Sequence, residues 1–130
     1  MTIKSSQTIV YDCQYYVVWC VKYRKKLLVG DIETRLKQII SEVAVDVQAE
    51  IIEMETEKDH IHLLMSCDPR VGIHRVVKRM KGRSSRVLRE EFSILRSRLP
   101  SLWTNSYFVS TVGGASLEVV KRYIENQQKV

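Results

Sequence analysis

One short stretch in the middle of the chain, Asp59-His60-Ile61-His62-Leu63-Leu64-Met65, has residue types and spacing suited to chemistry. Side chains on an extended strand alternate between faces, so His60 and His62 point the same way with Cα atoms roughly 6–7 Å apart. Ile61, Leu63 and Met65 point the other way, toward a core. Two imidazoles side by side on a rigid strand are a start for holding one divalent ion. The same spacing also suits a hydrogen-bonded histidine pair on a sheet, because His-x-His carries no third ligand of its own. On a regular strand Asp59 points away from the histidines. Next to a turn it could instead ligate a metal or brace a ligand. His74 is the only other histidine, and it reads as a surface residue on a basic helix.

A second group lies near the C-terminus, in Lys121-Arg122-Tyr123-Ile124-Glu125-Asn126-Gln127. Tyr123 and Gln127 are four apart and stack on one helix face. They flank an apolar stripe of Leu117, Val120 and Ile124 and could look toward a sheet. Spacing alone reads them as a half-buried tyrosine and a surface glutamine.

The elements that must position these residues follow from periodicity. Tyr15 to Tyr23 is an aromatic and β-branched run, a strand buried on both faces. Gly30-Asp31 opens a helix with Asp31 as its N-cap, carrying Ile32, Leu36, Ile39, Ile40, Val43 and Val47 at helical spacing. Ile51 to Glu57 alternates, with Ile52 and Met54 on one face. Lys58-Asp59 turns the chain into the strand His60 to Ser66, which makes a hairpin. After Asp68-Pro69 comes a basic helix with Ile73, Val76, Val77 and Met80 buried and Gly82-Arg83-Ser84-Ser85 as a point of interruption. Val87, Leu88, Phe92 and Leu95 continue the helical pattern until Pro100 stops it. Tyr107 to Val112 is a last strand, closed by Gly113-Gly114, and Ser116 caps the final helix. The order β-α-β-β-α-β predicts a ferredoxin-like α+β fold: an antiparallel sheet, helices on one face, and an added C-terminal helix bearing Tyr123. That fold hosts many functions and does not choose among them.

Charge narrows the choice. The chain of 130 residues has a net charge of +6, yet the segment from Arg70 to Arg98 alone holds ten basic residues against two acidic ones. Eight of those ten are arginine, whose planar fork suits bidentate phosphate contacts. Solvated helix faces are the plain alternative. A smaller cluster is Lys22-Tyr23-Arg24-Lys25-Lys26. The length fits one domain over 1–130, and the 45% apolar content excludes disordered and low-complexity classes. Three cysteines without C-x-x-C argue against a disulfide scaffold or a zinc cluster and fit a reducing compartment. No signal peptide is visible and no apolar run approaches the roughly 18 residues of a membrane span, so a cytoplasmic protein without membrane association is expected.

With these residues assembled, the chain resembles the small single-tyrosine HUH transposases of bacterial and archaeal insertion sequences (transposase A type), HUH denoting His, a hydrophobic residue, His. The likeness rests on Val18-Trp19-Cys20-Val21-Lys22-Tyr23-Arg24, Asp59-His60-Ile61-His62-Leu63-Leu64, Val77-Lys78-Arg79-Met80-Lys81-Gly82, Leu102-Trp103 through Tyr107, and Tyr123-Ile124-Glu125-Asn126-Gln127, in that order along nearly the whole chain. The resemblance implies an enzyme that cuts and rejoins single-stranded DNA at insertion-sequence ends, recognises subterminal DNA hairpins and acts as a homodimer. It implies Tyr123 as nucleophile and His60, His62 and Gln127 as ligands of magnesium, with manganese able to substitute. Arg75, Lys78, Arg79, Lys81, Arg83 and Arg86 become the residues expected to grip the hairpin backbone. Phosphate contacts of that kind position DNA without reading its bases. In the family, part of the cleavage-site choice comes from pairing between DNA segments, and the tyrosine helix of one subunit often meets the histidines of the other. The chain ends seven residues after Tyr123, so a longer shielding tail is expected to be missing.

Three other readings stand beside this one. A domesticated repeat-associated tyrosine transposase or nickase would share the chemistry. Replication initiators and relaxases usually are longer and often carry three histidines. A non-catalytic ferredoxin-like RNA-binding module would use Tyr15, Tyr16 and Trp19 to stack bases.

Overall fold

The structure, a computed structural model, describes residues 4–5, 10–111 and 117–130. Its main sheet has the order β4-β5-β3-β6, with every neighbouring pair antiparallel: β3 is Gln14–Cys20, β4 Glu50–Thr56, β5 His60–Ser66 and β6 Phe108–Thr111. A two-stranded ribbon of β1 (Lys4–Ser5) and β2 (Val10–Tyr11) precedes it. The helices are α1 (Gly30–Asp46), α2 (Ile73–Glu91), α3 (Ser93–Arg98) and α4 (Leu117–Asn126). The expected β-α-β-β-α-β order and the added C-terminal helix are therefore present.

The core lies between the sheet and α1 with α2. Val17, Trp19 and Val21 pack there with Ile61, Leu63 and Met65, against Leu36, Ile39, Ile40 and Val43 of α1 and Val76, Val77, Met80 and Leu88 of α2. Both faces of β3 are buried from Val17 to Cys20, as a central strand requires. The pairing register sets Cys20 opposite His60 and Val18 opposite His62. Tyr16, Val18 and Cys20 therefore share the second sheet face with the two histidines, and α4 lies on that face with its Val120 buried.

Several boundaries differ from the sequence reading. β3 stops at Cys20, and Lys22–Arg24 forms a 3-10 turn in which Tyr23 and Arg24 adopt positive φ of 58° and 51°. That conformation is uncommon for residues with a Cβ. The turn swings Leu27 and Leu28 into the core, where the Leu28 amide donates to the Lys58 carbonyl. Asp31 is not the N-cap of α1: Val29 holds that position without a side-chain cap, and Asp31 sits in the first turn, where a carboxylate still favours the unpaired amides. A bulge between Ile51 and Glu53 shifts the alternation of β4, so Ile51 and Met54 face the core and Ile52 is exposed.

α2 runs unbroken through Gly82-Arg83-Ser84-Ser85. There Ser84 folds its hydroxyl back onto the Met80 carbonyl at 2.6 Å and accepts the Trp103 indole N–H at 3.0 Å, so its polarity is spent inside the core. The helix breaks instead at Phe92, which is extended, and α3 ends before Leu99-Pro100. Of the last strand, Tyr107 lies just outside β6. Val112, Gly113-Gly114 and Ser116 fall outside the described residues.

The bulge assignment makes a stability prediction. Ile51→Ala should destabilise the fold by about 1–2 kcal/mol in urea unfolding, whereas Ile52→Ala should stay within about 0.5 kcal/mol. Equal losses would contradict the shifted register.

Candidate active site on the second sheet face

His60 and His62 lie side by side, their ring centroids 4.7 Å apart and their planes at 72°. Each is held through Nδ1. The His60 Nδ1 is 2.5 Å from the Asp59 carboxylate, which also accepts the Arg24 Nε at 3.1 Å and pairs with another Arg24 guanidinium nitrogen at 3.1 Å. The His62 Nδ1 is 2.6 Å from the Tyr16 hydroxyl. Bracing Nδ1 fixes the ring orientation and leaves the Nε2 edge as the one available to an outside ligand, the usual arrangement behind a metal-binding histidine. Burial, and next the nearness of the His60 ring, hold the His62 pKa below its ordinary value, which favours its neutral imidazole.

Asp59 corrects a simple alternation argument. β5 begins at His60, so Asp59 belongs to the turn and its carboxylate curls back to the neighbouring ring. Its carbonyl accepts the Val21 amide at 2.9 Å, tying that turn to the end of β3. The pair opens into a cleft of about 570 Å³ whose wall includes Arg24, Lys26, Lys58 and Asp59 on the sheet side and Val120, Lys121, Ile124 and Glu125 on α4. Among the described residues no group of three His, Cys, Asp or Glu side chains is arranged to hold a metal.

Tyr123 of α4 and Gln127, which opens the 3-10 turn Gln127–Lys129 after it, come together as their spacing predicts, but away from the histidine cleft. The Tyr123 hydroxyl is 2.9 Å from Ser106 Oγ, and its ring packs on Phe108 with centroids 5.7 Å apart. Gln127 is buried, not a surface residue: its Oε1 accepts the Ser106 hydroxyl at 3.2 Å and its Nε2 donates to the Tyr123 carbonyl at 3.3 Å. Neither residue lines the histidine cleft, to which α4 presents Lys121 and Glu125. Burial pushes the Tyr123 phenol above its ordinary value.

The basic helix divides its charges. Arg75, Lys78, Arg79 and Arg86 are exposed, and the first three make no ion pair among the described residues. Arg86 stands 3.9 Å from Glu90 on its own helix. Arg83 is committed to Asp46 of α1 at 2.8 Å. Lys81 is half-buried and donates to the carbonyls of Thr104 and Ser106 at 2.7 and 3.0 Å. Burial lowers its pKa to about 8. His74 stacks on Tyr107 and bonds its hydroxyl at 2.8 Å. Residue-by-residue reading misses Tyr16, Arg24 and Ser106 as site residues. Tyr16 reaches His62 diagonally across the β3–β5 ladder, Arg24 needs the left-handed turn, and Ser106 needs the docking of α4.

The sequence profile of the family described as "Transposase IS200 like" matches residues 9–127. The ISDra2 transposase TnpA of Deinococcus radiodurans is 36% identical over 129 residues, covering 98% of this chain and 92% of that protein. The transposase for insertion sequence element IS200 of Salmonella typhimurium is 29% identical over 119 residues, covering 90% and 78%. Among solved structures, a Deinococcus radiodurans R1 chain described as a transposase superposes with a TM-score of 0.85 at 32% identity, over 98% of this chain and 99% of that one. A tyrosine transposase bound to a REP hairpin shares the fold, with a TM-score of 0.52 at 12% identity over 96% and 69%. No helix among the described residues is long and apolar enough to cross a membrane. Its profile match, full-length relatives, antiparallel sheet and braced histidine pair together place this chain in the IS200-like transposase family, as a DNA transposase.

Proposed function

We propose that the chain cleaves and rejoins single-stranded DNA at insertion-sequence ends through a 5′-phosphotyrosine on Tyr123, after binding a subterminal DNA hairpin. The observation that supports this most is the histidine pair braced through Nδ1 by Asp59 and Tyr16, which lines a cleft of mixed basic and acidic side chains beside the tyrosine helix. His60 and His62 would hold magnesium, with manganese able to substitute and Gln127 as third ligand. Such an ion would neutralise a non-bridging phosphate oxygen and the charge that develops in the transition state.

The chain's own groups would do the rest. The Tyr123 oxygen attacks phosphorus in line, the phenolic proton leaves to solvent, a P–O bond to tyrosine forms, the bond to the 3′ oxygen breaks, and that oxygen takes a proton from solvent. The released 3′-hydroxyl is one product and the 5′-phosphotyrosine the other. A different 3′-hydroxyl can later attack that phosphotyrosine and rejoin strands without ATP. Lys26, Lys58 and Lys121 at the cleft wall suit the flanking phosphates, while Arg24 is held by Asp59. Arg75, Lys78, Arg79 and Arg86 offer the exposed charge for the hairpin backbone.

Within one chain Tyr123 and Gln127 face Ser106 while the histidines face Lys121 and Glu125. A homodimer in which the Tyr123 flank of α4 meets the partner's histidine pair would bring the separated groups together.

Incubation with hairpin-bearing end strands and magnesium should give a covalent protein–DNA adduct that disappears in Tyr123→Phe while hairpin binding persists. An adduct from that variant removes the nucleophile assignment. His62→Ala should abolish the adduct and keep binding; failure to bind would mark His62 as structural. Lys78→Ala with Arg79→Ala should weaken binding and reduce its salt slope by about 2, roughly one for each phosphate that is no longer neutralised. An unchanged slope would return both residues to a solvated face.

A further inference from the structure

The segment between α3 and β6 is fastened to the frame of the fold by several hydrogen bonds. The Leu102 carbonyl accepts the Lys22 amide at 2.8 Å, the Thr104 amide donates to the Cys20 carbonyl at 3.1 Å, and the Trp103 indole donates to Ser84 at 3.0 Å. Cys20 is the β3 residue paired with His60. This segment therefore carries the position of the histidine strand outward to Ser106.

Ser106 has one hydroxyl proton and two lone pairs. The proton goes to Gln127 Oε1 at 3.2 Å, so the contact with Tyr123 at 2.9 Å is one in which the phenol donates. Ser106 thus contacts both Tyr123 and Gln127, and the Thr104 side chain gives Tyr123 a second hydrogen bond. Lys81 in turn holds the Ser106 and Thr104 carbonyls with two of its three N–H groups. Two protons committed to carbonyls, on a half-buried stem, leave little for DNA.

The geometry points to Ser106 and Lys81 as positioning residues: Ser106 orients the Tyr123 hydroxyl and the Gln127 amide, and Lys81 fixes Ser106 rather than gripping phosphate. This rests on Tyr123 being the nucleophile. Misplacing a reacting group by about 1 Å can cost on the order of 100-fold in rate, so removal of an orienting bond should be visible in the chemical step.

The test separates orientation from binding by measuring adduct formation at saturating hairpin DNA alongside hairpin affinity across salt. Ser106→Ala should slow adduct formation about tenfold or more with affinity within about twofold, and Ser106→Thr, which keeps the hydroxyl, should retain most of the rate. Lys81→Met should slow the step comparably with an unchanged salt slope. A normal rate in Ser106→Ala overturns the proposal. So does a Lys81→Met protein with normal rate and a slope reduced by about one, the mark of a phosphate contact. Tyr123→Phe in the same assay keeps the two readings apart. Adduct from that variant defeats the nucleophile assignment itself, whereas a Tyr123-dependent adduct indifferent to Ser106 and Lys81 defeats only the positioning role.

Discussion

The pairing of β3 with β5 is the constraint on which the rest of the molecule depends. Cys20 opposite His60 and Val18 opposite His62 put both imidazoles on one face and Ile61, Leu63 and Met65 on the other, where they are buried. A slip of one residue would send the histidines into the core and the apolar set outward. The hydrophobic effect thus fixes the histidines by fixing their neighbours. That register also brings Tyr16 diagonally to His62, and it places the end of β3 where the turns carrying Asp59 and Arg24 meet. Polar bracing of the site is a consequence of apolar packing beneath it.

The charge of α2 is arranged by the same packing. A helix with Val76, Val77, Met80 and Leu88 buried must turn its other faces outward, and Arg75, Lys78 and Arg79 occupy them. Positions between the two faces serve the fold: Arg83 reaches Asp46 across to α1, and Lys81 reaches the Thr104–Ser106 segment. A count of basic residues therefore overstates the surface open to DNA. What remains exposed is still a basic face on one helix, consistent with contacts that position a nucleic acid backbone.

Much of this is legible in the sequence because it depends on period. Alternation locates His60 and His62, and helical spacing locates the buried faces of α1 and α2 and the pairing of Tyr123 with Gln127. Period fails where backbone geometry departs from it. The bulge near Ile52 reverses a facing, the left-handed conformations at Tyr23 and Arg24 end a strand early, and Asp59 belongs to a turn that alternation treats as strand. Ser84 reads as a helix breaker because its hydroxyl partners, Met80 and Trp103, are visible only in three dimensions. Ser106 gives no signal, since its importance comes from where α4 docks.

In the proposed reaction one atom, the Tyr123 phenolic oxygen, carries the DNA. Trypsin cuts after Arg122 and after Lys129, so the covalent complex formed with labelled single-stranded DNA should yield the label on one peptide, Tyr123-Ile124-Glu125-Asn126-Gln127-Gln128-Lys129. Mass spectrometry of the digest should find the nucleotide adduct on Tyr123. Recovery of the label on another tyrosine, such as Tyr16 beside His62 or Tyr107 beside His74, would contradict Tyr123 as the nucleophile.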